Sequence, residues 1–248
     1  MVAKGVHIDI WSDVVCPWCY IGKRRLEQAL SEANLTAQAE IVWHSFQLDP
    51  SASSDDPRDL AERLGQKYGG GREFGLQANA RVTQVAAEAG LEFHLDIAKA
   101  ANTVDAHRVL HLARELVESG ELPADGQSRL KERYLKAYFT EGQPVGDHAT
   151  LTLLAVEAGL PEDQVADVLA STAYAAEVEA DQAQALAYGA NGVPFFVIDE
   201  KYGVSGAQPV EVFAEALRRA QADHRPVTII SGPGADEADV CGPDGCPI

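Results

Sequence analysis

Apolar positions alternate with polar ones near the two ends of this chain, and between them they recur with a helical period. Residues 6–11 (VHIDIW) place Val6, Ile8 and Ile10 on one face and His7, Asp9 and Trp11 on the other, the period-two pattern of a strand. Residues 20–33 follow with Ile21, Leu26, Ala29 and Leu30 on one stripe, which predicts a helix. Ile41, Val42, Trp43 and Phe46 supply a second strand. Together they fit one βαβ unit, with parallel strands and a right-handed crossover. A Ser-, Asp- and Pro-rich loop at 48–57 then opens a long helical block. Its periodicity predicts helices over 58–68, 77–89, 103–119, 127–140, 147–158, 162–170 and 172–188, with Gly69-Gly70-Gly71 closing the first. Strand character returns at 193–198 (VPFFVI). Asp199 and Glu200 read as a turn, 202–205 as the hairpin partner, and 209–222 as an amphipathic helix with Val212, Phe213, Ala216 and Leu217 inward. The expected organisation is α/β: a sheet domain from 1–56 and 190–222, an all-helical insertion at 57–189, and an aperiodic tail at 223–248.

Composition narrows the partners. The chain has 248 residues, of which 46% are hydrophobic, enough for a substantial core. A net charge of −18 makes nucleic acid and anionic membrane surfaces unexpected partners, and solubility is its plainest explanation. No stretch approaches the ~20 apolar residues needed to span a bilayer, and the N-terminal residues lack a signal-peptide core. A cytoplasmic location is therefore expected, provided no leader was removed. There, cysteine pairs are more often catalytic, sensing or metal-binding than structural. The four cysteines form two pairs at opposite ends of the chain.

The first pair, Cys16-Pro17-Trp18-Cys19, lies where the first strand gives way to the first helix. Pro17 falls where a first-turn proline is tolerated, which makes Cys16 the N-cap. Unpaired N–H groups and the helix dipole favour an anion there, and the thiolate is the nucleophile in disulfide exchange. The expected roles are an exposed, attacking Cys16 and a buried Cys19 that resolves the mixed disulfide. Two core cysteines, half of a zinc site or a structural disulfide share this spacing, but the strand–CPxC–helix context favours a redox dithiol. Asp9, on a buried strand behind the pair, is a candidate proton acceptor for Cys19. Its alternative is a carboxylate bonded to backbone, and Asp13 competes for either role.

The second pair, Cys241 and Cys246, brackets Gly-Pro-Asp-Gly, a turn sequence that brings two thiols together. The chain between Ala222 and Cys241 can extend roughly 60 Å, far enough to reach Cys16. The tail dithiol could exchange with Cys16–Cys19 as a relay, gate the site, or form a passive disulfide. A zinc site would need a nearby second pair or histidine, so no metal is assigned.

Three segments carry a family resemblance. IDIWSDVVCPWCYIGKRRLEQAL, NTVDAHRVLHLA and NGVPFFVIDEKYGVSGAQP, spread between residues 6 and 222, resemble the DsbA family of thioredoxin-fold disulfide oxidoreductases, in its FrnE-like branch. The resemblance implies a thioredoxin fold interrupted by a helical domain, with Cys16 as nucleophile, Cys19 as resolving thiol and Pro194 as a cis proline. Val193 would then offer its backbone to a substrate strand. Without the resemblance, Val193-Pro194 reads as an ordinary strand start. DsbA proper carries histidine where this chain has Trp18, which implies a less extreme thiolate and a more moderate potential. Kappa-class glutathione transferases and hydroxychromene carboxylate isomerases share the insertion but carry serine in place of Cys16.

The expected function is exchange on protein disulfides, with Pro17, Trp18 and Val193 meeting the substrate, in a monomer or homodimer. No cofactor is expected, with glutathione a candidate reductant. The alternative is glutathione-dependent isomerisation or transfer on a small molecule, for which Val193, Ser205 and Asn102 are candidate binding residues. For Asn102 and His107 a helix cap and a core histidine are the plainer readings. Roles in oxidative stress follow only from the resemblance.

Overall fold

The computed structural model describes residues 5–223. The strands are β1 (Val6–Ser12), β2 (Ala39–Ser45), β3 (Phe195–Ile198) and β4 (Tyr202–Ser205). The helices are α1 (Pro17–Glu32), α2 (Leu60–Tyr68), α3 (Gly71–Glu88), α4 (Val104–Glu118), α5 (Gly126–Phe139), α6 (His148–Glu157), α7 (Glu162–Leu169), α8 (Ala175–Ala187) and α9 (Val210–Asp223). Helices α2 to α8 all fall between β2 and β3 in sequence. The strands form one sheet in the order β2-β1-β3-β4, with β1 and β2 parallel and β3 antiparallel to both β1 and β4. The expected βαβ unit and hairpin are both present. The main difference is α3, which starts at Gly71 and not at 77. Glycines 69–71 are a tight turn between two helices, with positive φ at all three.

Strand parity decides which side of the sheet each helix covers. Val6, Ile8 and Ile10 are buried with Leu26, Ala29 and Leu30 of α1 and with Phe213 and Leu217 of α9. Phe196 meets Phe213 edge-on at 4.8 Å. The opposite face buries Trp11, Phe195 and Val197 with Ala185 of α8. A larger core fills the helical block and takes in Val14, Tyr20 and Ile21 at the start of α1. That core continues into the CPxC turn, so α1 belongs to both layers. Glu132 of α5 ties them further by accepting from Tyr20, Arg24 and Lys23. Burial works to raise its carboxyl, but the two cations and the hydroxyl hold it down at about 2.

On the second face a buried polar network docks α8 and α4 onto the sheet. Asp181 of α8 accepts from the Ser45 backbone N–H at 2.7 Å. It also lies 2.8 Å from His44 Nδ1 and 3.0 Å from His111 Nε2. Its backbone carbonyl accepts from Trp11 Nε1 at 2.8 Å, and the Trp11 ring stacks on His44 at 4.4 Å. His44 Nε2 is 2.7 Å from Asp9, which also pairs with His7 at 3.2 Å.

The α2–α3 hairpin depends on small residues. A Cβ added at Gly75 would lie 2.0 Å from the Ala61 carbonyl oxygen. Gly75→Ala should therefore force the two helices apart at a cost of about 1–3 kcal/mol. Chemical denaturation measures this, and an unchanged midpoint would show that the contact relaxes freely.

Candidate active site

The two thiols sit where the first strand hands over to the first helix. Cys16 is the N-cap of α1 in an extended conformation (φ −91°, ψ 113°), Pro17 opens the helix, and the Cys19 N–H donates to the Cys16 carbonyl at 3.0 Å. Both cysteines are free thiols. Cys16 is not the exposed residue that the sequence suggests. Only 2% of its surface is accessible, because its Sγ lies against the Val193 carbonyl at 3.6 Å. The Val193–Pro194 peptide bond is cis, as the resemblance implies. Gly22 permits this closeness: a Cβ there would lie 3.1 Å from both Pro194 Cγ and Phe196 Cζ. Cys19 is deeper still, and burial drives its thiol well above the usual range, with the adjacent Cys16 adding to the shift.

Three buried side chains surround the dithiol from below. Asp13 accepts from the Leu48 backbone N–H at 2.8 Å and meets His107 Nε2 at 3.3 Å. Burial works to raise the Asp13 carboxyl, but His107, the Leu48 N–H and Lys131 together hold it below the usual range. His107 is pulled down by burial and by neighbouring Lys131 and His111, against the pull of Asp13. Lys131 of α5 is fully buried, and burial pulls its ammonium down to about 8 even though Cys19, Asp13 and Cys16 oppose the shift. Sequence reasoning missed Lys131. Its signal was positional: it lies three residues before Tyr134 and four before Leu135, on the apolar stripe of α5.

The other candidates separate. Asp9 is not brought to the dithiol. The parity that packs Val6, Ile8 and Ile10 against α1 points Asp9 to the opposite face, where it holds His44 and His7. Asn102 is occupied structurally. Its amide donates to the Pro50 and Ala52 carbonyls at 3.1 Å each, and its Oδ1 accepts from the Gln47 side chain and from the Val104 N–H at the start of α4. The helix-cap reading of Asn102 describes what it does here. Ser205 is exposed at the end of β4, one residue before the Gly206 N–H that donates to the Pro194 carbonyl at 2.8 Å. Cys241 and Cys246 lie outside the described residues.

Above the dithiol opens a cleft of about 1270 Å³ whose lining includes Cys16, Pro17, Trp18 and Val193. Its far wall is the α2–α3 hairpin. Trp18, Tyr68 and Phe74 present exposed ring surface there, with Trp18 39% and Tyr68 65% accessible. A nucleophile at the foot of a broad cleft of mixed apolar and charged lining, held against a backbone carbonyl, is suited to a disulfide presented on a larger molecule.

Comparison with known proteins agrees with this fold. The DSBA-like thioredoxin domain model matches residues 7–218. The crystal structure of a protein described as a probable DsbA oxidoreductase from Streptomyces coelicolor is 40% identical, covers 98% of this chain and 99% of its own, and superposes with a TM-score of 0.82. The cytosolic disulfide reductase DsbM of Pseudomonas aeruginosa, solved with GSH, shares the fold at 18% identity and a TM-score of 0.56, over 86% of this chain and 98% of its own. The uncharacterized protein YwbO of Bacillus subtilis is 28% identical over 87% of this chain and 98% of its own length. Among the described residues no helix is long and apolar enough to cross a membrane. The fold is thioredoxin-like with helices inserted between its second and third strands, and the chain belongs to the DSBA-like thioredoxin domain family of thiol–disulfide oxidoreductases.

Proposed function

We propose that the chain exchanges disulfides on protein substrates through Cys16 and Cys19. The observation that carries this reading is the dithiol at the foot of its cleft. About 1270 Å³ exceeds the ~300–1,000 Å³ of an ordinary small-molecule pocket, so a peptide segment fits it better than a small thiol. The Cys16 thiolate attacks one sulfur of the substrate disulfide, and the other sulfur leaves as a thiolate. Cys19 then attacks Cys16 Sγ, releasing the second substrate thiolate and leaving Cys16–Cys19 oxidised. A cellular thiol, with glutathione a candidate, reduces the pair for the next turnover. Run in reverse, the same steps make disulfides, and the reduction potential sets the direction.

Turnover tests the reading. With a thiol reductant supplied, the protein should reduce insulin or reactivate scrambled ribonuclease over many cycles. The Cys16–Cys19 potential should lie between about −180 and −270 mV, because Trp18 supplies no charge to stabilise the thiolate. A dithiol that titrates normally but turns over neither protein would exclude protein disulfides as substrates.

The tail pair is proposed as a relay to Cys16–Cys19. Replacing Cys241 and Cys246 together by serine should shift the Cys16–Cys19 potential by more than about 30 mV, roughly 1.4 kcal/mol for two electrons. Glutathione titration of both proteins checks it. An unchanged potential with unchanged turnover would leave the tail without a redox role.

A further inference from the structure

The far wall of the cleft uses one side of each helix in the α2–α3 hairpin. Arg63 and Lys67 lie one turn apart on α2, and Phe74, Ala78 and Arg81 follow at helical spacing on α3. Four cations and three carboxylates line the cleft. All three carboxylates are engaged. Asp13 holds the Leu48 N–H and His107. Asp56 accepts two bonds from Arg58, at 2.8 and 2.5 Å. Asp49 accepts from the Ser51 hydroxyl at 2.7 Å and lies 3.6 Å from Lys67. Arg58 and Lys67 are thereby matched, and Arg63 and Arg81 are not.

Arg63 is half-buried. It makes one long hydrogen bond, 3.5 Å to the Ala98 carbonyl, and its Nε is buried with no partner among the described residues. Arg81 is exposed and has neither a hydrogen bond nor an ion pair among those residues. Carboxylates are not scarce in this chain, where 38 acidic residues face 20 basic ones. Other arginines of the fold have found one, as Arg72 has in Asp59 and Arg133 in Glu141 and Glu157. Two guanidinium groups left without one on the same wall of a substrate cleft make a place for a carboxylate that arrives from outside. Each can take it in a fork of two parallel, charge-assisted bonds.

We propose that Arg63 and Arg81 bind a carboxylate of the substrate, so that the cleft selects protein disulfides with Asp or Glu close to the reacting cysteine. The inference rests on the protein-disulfide reading above and adds a substrate class to it. The rings of Trp18, Tyr68 and Phe74 carry no net charge with which to choose between substrates, and the two arginines supply it. The net charge of −18 repels an acidic partner at long range. At physiological salt that repulsion is screened beyond about 8 Å, whereas the arginines act at contact. The preference is therefore for acidic residues beside the disulfide and not for an acidic protein as a whole.

Three synthetic peptides test it, each with one disulfide and blocked termini, and with Glu, Gln or Lys at the same positions beside the cysteines. The full chain carries Cys241→Ser and Cys246→Ser, so that only one dithiol reacts. It is reduced and mixed with excess peptide at about 0.15 M salt without any added thiol, and the rate of peptide reduction is followed. The Glu peptide should react about tenfold faster than the Gln peptide, and the Lys peptide slowest. In the Arg63→Gln, Arg81→Gln protein the Glu-to-Gln ratio should fall to about one or below. Arg81 is exposed, so Arg81→Gln tests the site even if the Arg63 substitution disturbs the fold, and it should lower the ratio about threefold. Arg81→Glu should turn the preference toward the Lys peptide. Equal rates for all three peptides in the parent protein, or an acidic preference that survives both glutamine substitutions, would overturn the site. The tail carries Asp236, Glu237 and Asp239 just ahead of Cys241. A preference that emerges only after these three are replaced by their amides would assign the arginines to the chain's own tail and overturn the substrate as their occupant. If no peptide is reduced at all, the protein-disulfide reading itself fails, and this inference with it.

Discussion

Cys16→Ser should abolish protein-disulfide turnover, by about 10³-fold or more, whereas Cys19→Ser should stall with substrate attached. The asymmetry follows from where the two thiols sit. Cys16 lines the cleft and caps α1, at the positive end of the helix dipole. A serine hydroxyl there is too weak a nucleophile to open a disulfide. Cys19 is buried one turn further in and can meet a sulfur only once that sulfur is bonded to Cys16. Without it the mixed disulfide forms and persists, and it appears as a covalent adduct by intact-mass spectrometry under non-reducing conditions. The decisive comparison is adduct yield. Cys19→Ser should hold close to one substrate per chain, and Cys16→Ser none. An adduct on Cys19 in the Cys16→Ser protein would reverse the assignment.

The parts of this site that lie close together in sequence could be read from it. A strand, CPxC and an amphipathic helix in succession fix Cys16 at the N-cap, because Pro17 is acceptable only in the first turn. Strand periodicity likewise located the hairpin after Pro194. What escaped was contributed by distant elements. Asp9 was a reasonable candidate on a buried strand, but burial alone does not say which face of the sheet carries the dithiol. The structure answers through Ile8 and Ile10, which take the α1 side and leave Asp9 to His44. Lys131 has no motif around it and comes near the strand–helix turn of the dithiol, where it donates to the Ser12 carbonyl, only through the tertiary packing of α5. Asp181 is hidden in the same way. It lies on the inward face of α8 with Val178 and Ala185, where the pattern invites an apolar residue. Lys131 and Asp181 share one sequence signature, a charged side chain on an otherwise apolar helical stripe. Such a residue must be paired or functional. Asp181 is paired with three groups, whereas Lys131 has only the Ser12 carbonyl and the Trp43 ring and, among the described residues, no carboxylate within ion-pair distance.

Asp181→Ala should therefore cost stability, about 3 kcal/mol or more, without touching the dithiol. The substitution strands the Ser45 N–H, His44 and His111, all buried donors to the lost carboxylate. Its pH dependence gives the stronger test. Burial works to raise the Asp181 carboxyl, but hydrogen bonds from His111, His44 and Ser45 outweigh it and hold the group well below the usual carboxylate range. A depressed folded-state value contributes stability above the unfolded value near 3.8, and that contribution is lost as the pH falls through the folded value. His44 runs the other way. Burial works to lower it, but Asp181 and Asp9 raise it above its ordinary 6.5. Its contribution is complete below 6.5 and disappears as the pH rises through the folded value. The two windows overlap between about pH 4 and 6.5, where the network holds both charges. Guanidinium denaturation of the two proteins across pH 3 to 9 should show the largest difference near pH 5.5, shrinking on both sides. A difference that stays flat across that range would mean the network holds α8 to the sheet by shape and neutral hydrogen bonds alone, with no contribution from the His44–Asp181 charge pair.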